Sequence, residues 1–131
     1  MSPEDFCLVH VSLVPVLGSV GEQKTKPTQH GVKELRSAGL SPDIIVCRSS
    51  NALEESTKAK ISLFCQVPKE NVLGVRDVSN IYHVPLVLQE QSCTEIILQK
   101  LKLDPILPIE NRPLLTSWTN LACKVDNVEK E

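Results

Sequence analysis

The stretch GEQKTKPTQH, Gly21 to His30, sets two lysines around a threonine and follows them with a proline. The chemistry these residues can do is the capture of an anion. Pro27 suits the first position of a helix, where its missing N–H costs nothing, so Lys24, Thr25 and Lys26 are expected at a helix entrance. Unpaired N–H groups and the helix dipole favour negative charge there. Thr28 and Gln29 add side-chain donors in the first turn. Lys60 joins from a second helix, because helical side chains tilt toward the amino end and a lysine one turn in reaches back to the entrance. Three ammonium groups converging from two loops suit a triphosphate better than a single carboxylate. A second reading stands beside this one, in which Lys24, Lys26 and Lys60 are ordinary solvated charges.

Other chemistries find less support. Gln23 precedes Lys24, so the glycine-rich cradle of a Walker A loop is missing. No G-x-S-x-G, H-E-x-x-H or dinucleotide fingerprint occurs, and nothing pairs a nucleophile with a base. The cysteines, Cys7, Cys47, Cys65, Cys93 and Cys123, are odd in number, widely spaced and without a C-x-x-C pair. That pattern argues for thiols packed as small hydrophobes rather than a disulfide framework. Cys7 and His10 are three apart, which on a strand turns them to opposite faces, and His30 and His83 have no second ligand nearby in the sequence. No metal site is expected.

The elements that must position the lysines follow from periodicity. Phe6 to Val16, rich in β-branched residues, reads as a buried strand, and a loop from Leu17 to Lys26 leads into the helix opened by Pro27. Val32, Leu35 and Ala38 recur on one face of that helix until Gly39 ends it. Asp43–Cys47 reads as a second strand and Asn71–Val75 as a third. Between them Glu54–Cys65 reads as a short helix, with Ala59, Ile61, Leu63 and Phe64 as its apolar positions. Leu86–Leu103 reads as a further helix interrupted near Ser92. The order β-α-β-α-β-α predicts a partial parallel sheet of Rossmann-like α/β class with right-handed crossovers. Leu103–Pro113 holds three prolines and reads as a linker, followed by an amphipathic segment, Leu114 to Val128, containing Trp118. In such a sheet ligands collect at the carboxyl ends of the strands, where the loops Leu17–Lys26, Arg48–Leu53 and Arg76–Asn80 gather.

With 131 residues the chain has the size of one domain with a single core. A net charge of -2 gives no general attraction to nucleic acid or to anionic membranes, so any anion site must be local. No 18-residue apolar stretch is present, and the opening MSPEDFCLVH carries acids where a signal peptide carries basic residues. These features read as a soluble intracellular protein that uses neither nucleic acid nor membrane as partner.

Five segments together resemble the glutamine-hydrolysing CTP synthases, the eukaryotic members above all. They are HVSLVP (His10–Pro15), GEQKTKPTQH (Gly21–His30), DIIVCRS (Asp43–Ser49), AKISLFC (Ala59–Cys65) and DVSNIYHVPLVL (Asp77–Leu88), in family order and spacing. The likeness runs from about Asp5 to Leu103, and LPIENRP…SWTNLA resembles the family's linker. It implies residues 1–103 as the C-terminal half of the synthetase domain, P-loop-NTPase-like in fold, and 104–131 as a proline-rich linker and helix. It further implies that Lys24, Thr25, Lys26, Pro27, Thr28, Gln29 and Lys60 bind UTP and the inhibitor CTP, and that Asp77 and Val78 contact ATP.

In the family, ATP phosphorylates O4 of UTP and ammonia released from glutamine displaces the phosphate. The P-loop and Mg²⁺-binding acids lie upstream of the segment matched here, and the glutaminase domain lies downstream. The resemblance therefore implies a fragment or truncated relative, inactive by itself, with no catalytic residue and no metal ligand of its own, although the family uses Mg²⁺ and ATP. Its implied location is the cytoplasm. The alternative is a non-catalytic protein that associates with full-length synthase subunits, since the family assembles as tetramers. A third reading is an unrelated small α/β domain with a surface lysine cluster.

Overall fold

Ile44, Ile45, Val46 and Cys47 are apolar on both sides of any strand they form, and they take the central place in a sheet, where both sides are covered. The computed structural model describes residues 5–19, 21–103 and 113–128. The chain divides into two compact units, Met1–Asp77 and Val78–Glu131. The first runs β1 (Val9–Leu13), β2 (Val16–Leu17), β3 (Glu22–Gln23), α1 (Lys26–Ser37), β4 (Ile44–Arg48), α2 (Glu55–Cys65) and β5 (Val72–Val75). β1, β4 and β5 form a three-stranded sheet in that order, and both pairings are parallel, with Val9 opposite Ile44 and Ile45 opposite Val72. The α/β class and the parallel sheet agree with the sequence reading.

One core holds this unit together. Ile45, Cys47 and Val72 from the sheet pack with Val32 of α1 and with Ile61 and Cys65 of α2. Each fully buried side chain of this size stabilises the fold by roughly 1.5–3 kcal/mol. Burial pushes the Cys47 thiol up to about 12, so it stays protonated and is no nucleophile. No disulfide joins the five cysteines.

Three expectations are corrected. β1 is shorter than the expected Phe6–Val16 and is not buried on both faces: Val9, Val11 and Leu13 are exposed, Val11 by 67%. Among the described residues β1 has a strand neighbour on one side, β4, and α1 packs on the face that carries His10 and Ser12. Pro15, with no N–H to give a ladder, follows its end. The expected loop from Leu17 is in part a small antiparallel ribbon, β2 against β3, which Gly18 and Gly21 turn with φ of 73° each. On α2 the buried stripe is Thr57, Ile61 and Cys65, while Ala59 is exposed, Leu63 is 75% exposed and Phe64 57%. Ala59 and Leu63 stand half a turn away from that stripe at 100° per residue.

The second unit contains α3 (Val84–Gln89), α4 (Cys93–Lys100) and α5 (Pro113–Val128). The expected interruption falls at Ser92, whose φ of 58° is left-handed and breaks the helical run between α3 and α4. α5 is tied to the turn at Asn80–His83. The Asn80 amide donates to the Ala122 carbonyl at 3.2 Å and to the Asp126 carboxylate, and its own oxygen accepts from the Tyr82 N–H at 3.0 Å. His83 Nε2 donates to Asp126 Oδ2 at 2.7 Å, and Trp118 Nε1 donates to the Tyr82 carbonyl at 2.7 Å. The Tyr82 and Trp118 rings meet edge to face, 5.9 Å apart. Of the expected linker, residues 104–112 lie outside the described residues. Among the described residues no helix is long and apolar enough to cross a membrane.

Candidate functional site

Parallel strands send all their carboxyl ends to one edge of the sheet, and the first unit collects its loops there. The Lys24 N–H donates to the Pro15 carbonyl at 2.8 Å, which fixes the chain just before α1. Thr25 then occupies the helix N-cap, yet no side chain caps α1 and its first turn holds no acid. Instead the Thr25 hydroxyl accepts from Gln29 Nε2 at 2.9 Å. The amino end of α1 thus keeps its positive pole without an internal carboxylate in the turn. Lys26 and Pro27 are exposed beside it.

Thr28 is placed differently from its neighbours. It is fully buried; its hydroxyl accepts from Ser12 Oγ at 3.0 Å and lies 3.5 Å from the Leu13 carbonyl. Its oxygen pins α1 to the end of β1 rather than facing solvent. The entrance is therefore lined by Lys24, Lys26 and the backbone of the first turn, while Thr25, Thr28 and Gln29 hold its shape.

The second loop is brought to the first by a residue that periodicity and motif do not single out. Gln23 Nε2 donates to the Ala52 carbonyl at 2.7 Å, and its Oε1 accepts from the Glu54 N–H at 3.0 Å. Both ends of one amide thereby clamp ribbon β2–β3 to the chain that opens α2, the helix carrying Lys60. The hydrogen bond and the charge of Lys24, whose Nζ lies 2.6 Å from Glu22 Oε2, hold the Glu22 carboxyl below its ordinary value, and the charge of the exposed Lys60 on α2 adds the weakest pull in the same direction.

At the third loop Asp77 forms an ion pair with Arg48, the last residue of β4. Arg48 also donates to the Ser49 carbonyl at 3.2 Å. Asp77 closes the first unit, and Val78 is the first residue of the second. On the helix side, an open groove of about 290 Å³ lies between α1 and α2, bordered by Gln29, His30, Lys33, Arg36 and Phe64. The edge offers cations and backbone donors, the groups that bind an anion.

The family model for the CTP synthase N-terminus matches residues 1–103. A CTP synthase of Dictyostelium discoideum is 53% identical over 98% of this chain and 24% of its own length. CTP synthase 1 of Homo sapiens is 53% identical over 95% of the chain and 21% of its own length. CTP synthase 2 of Homo sapiens is 50% identical over 97% and 21%. The chain thus spans between about a fifth and a quarter of the length of these relatives. The Mg²⁺ that the family uses does not fit this edge. Two of its carboxylates, Glu22 and Asp77, are each engaged by a cation, and among the described residues no group of three or more His, Cys, Asp or Glu is placed to hold a metal ion.

Proposed function

The chain belongs to the CTP synthase family, and we propose on that premise that it carries the pyrimidine-triphosphate half-site of an enzyme that aminates UTP to CTP. Residues 1–103 form the later half of the synthetase domain in this reading, and 104–131 its linker and helix. Lys24, Lys26 and Lys60 hold the phosphates of UTP, or of CTP as inhibitor. Thr25, Pro27, Thr28 and Gln29 shape the entrance that presents them. Asp77, oriented by Arg48, and Val78 contact the adenine of ATP. The observation that carries the proposal is the uncapped amino end of α1, flanked by Lys24 and Lys26 and clamped through Gln23 to the helix that brings Lys60.

ATP-dependent phosphorylation and glutamine hydrolysis need groups that these 131 residues do not supply, so the chain alone binds without turning over. It acts in the cytoplasm. Exposed Leu63 and Phe64 on α2 favour association with further subunits of the family. Titration calorimetry with UTP, CTP and uridine tests the half-site. Both triphosphates should bind and uridine should not, because the lysines read charge. Equal affinity for uridine and UTP would remove the lysines from the site.

A further inference from the structure

Glu22 has the wrong sign for a phosphate site, yet it sits among the lysines. Its Oε2 lies 2.6 Å from Lys24 Nζ, the atom assigned above to phosphate, and Lys60 pulls more weakly on the same carboxylate from α2. The placement is built. Glu22 pairs with Leu17 in the ribbon, Gln23 beside it is clamped to Ala52 and Glu54, and the Lys24 N–H is bonded to Pro15. Three consecutive residues are held by backbone or amide contacts, and the two opposite charges face each other across them.

We propose that Glu22 is an internal counter-ion of the triphosphate site, a carboxylate that occupies Lys24 and that an incoming phosphate must displace. Nucleotide binding is then a competition of two anions for one ammonium group. This rests on the reading of Lys24, Lys26 and Lys60 as triphosphate ligands. Both partners are open to solvent, their side chains 40% and 68% exposed, so the contact is weak enough for a polyanion to break. It sets the affinity without closing the site. It also occupies Lys24 against single carboxylates and monophosphates, which bring one point of attachment where a triphosphate brings several.

The test is a double-mutant cycle on the 131-residue chain, titrated with inorganic tripolyphosphate and with UTP and followed by ¹H–¹⁵N NMR, which also reports that each variant is folded. Glu22→Gln should tighten both ligands by about two- to five-fold, the range in which an exposed ion pair acts. In a Lys24→Ala background the same change should have little effect, because no ammonium group is left to compete for. An equal gain in both backgrounds would mean simple repulsion between Glu22 and the ligand and would overturn the competition. So would an unchanged or weaker affinity for Glu22→Gln. If instead the unsubstituted chain shows no preference for UTP over uridine, the half-site itself fails, an outcome read separately from the cycle.

Discussion

Lys60 is the residue that best separates a ligand-binding lysine from a solvated one, because it comes from α2, whereas Lys26 opens α1 and Lys24 precedes it, and because it is exposed. A charge-assisted contact to phosphate is worth about 1.5–3 kcal/mol. Lys60→Ala should therefore weaken UTP and CTP binding by about ten-fold or more while moving the stability of the fold by less than about 0.5 kcal/mol. Calorimetry and thermal melting on the same pair of proteins decide it, and unchanged binding in a folded variant returns the cluster to ordinary surface charge. At this scale the place of Lys24, Lys26 and Pro27 at the start of α1 was legible from residue type and spacing alone. Glu22 and Gln23 were not, although they stand in the same motif. Gln23 does its work on backbone atoms 29 and 31 residues away, and Glu22 matters through the distance to Lys24 that the ribbon sets. Thr28 shows the converse: a hydroxyl that looks like a donor for ligand is spent on Ser12 in the interior.

Among the elements, α5 offers the clearest pH dependence. Hydrogen bonds from Ser79 first, then from His83 and Asn80, hold the Asp126 carboxyl down to about 2 from an ordinary value of 3.8. A carboxylate depressed in the folded state contributes stability that is fully present above its unfolded value and is lost as pH falls through the folded one. The docking of α5 on the Asn80–His83 turn should thus hold from neutral pH to about 4 and loosen between about 4 and 2. Trp118, the single tryptophan, bonds to that turn and reports the change by its fluorescence. Asp126→Asn should lack the acid step, and a variant that titrates like the unsubstituted chain would sever the link. Helix boundaries were readable from sequence, down to the break at Ser92, because they depend on local periodicity and backbone preference. Which face each element buries was less so. The stripe Thr57, Ile61 and Cys65 on α2 includes a threonine, and exposed Leu63 and Phe64 outweigh it in any count of apolar residues.

For the whole molecule the outermost position of β1 is the dominant fact. A strand with one neighbour leaves a row of backbone groups unpaired, and here Val9, Val11 and Leu13 add an apolar face beside it. Val11→Lys should raise the concentration at which the chain stays dispersed and change its unfolding free energy by no more than about 1 kcal/mol. Sedimentation and urea melts measure the two, and a loss of several kcal/mol would show that Val11 is covered in solution. The alternation of strands and helices made the parallel sheet foreseeable. That β1 is an edge strand follows from the order β1-β4-β5, which arises only when the segments meet.

The parallel register carries a consequence in time. A parallel pair cannot be closed by a tight turn: Val9 must find Ile44 and Ile45 must find Val72, partners about thirty residues apart in the chain. The local turns of α1 and α2 can form within microseconds, whereas loops of this length must close before the first ladder bond repays them. Joining the three strands is therefore the slow event, on the order of milliseconds to seconds for such topologies. Lys24 and Lys26 at the entrance of α1 and Lys60 on α2 have no common geometry until it is over. On the proposed reading of these lysines, a nucleotide finds nothing to hold in the chain on its way to the native state, so it should leave the refolding rate unchanged and act wholly by retarding escape from the finished fold. Stopped-flow refolding and unfolding with and without UTP would register that asymmetry as a shift in one limb of the rate profile and not the other.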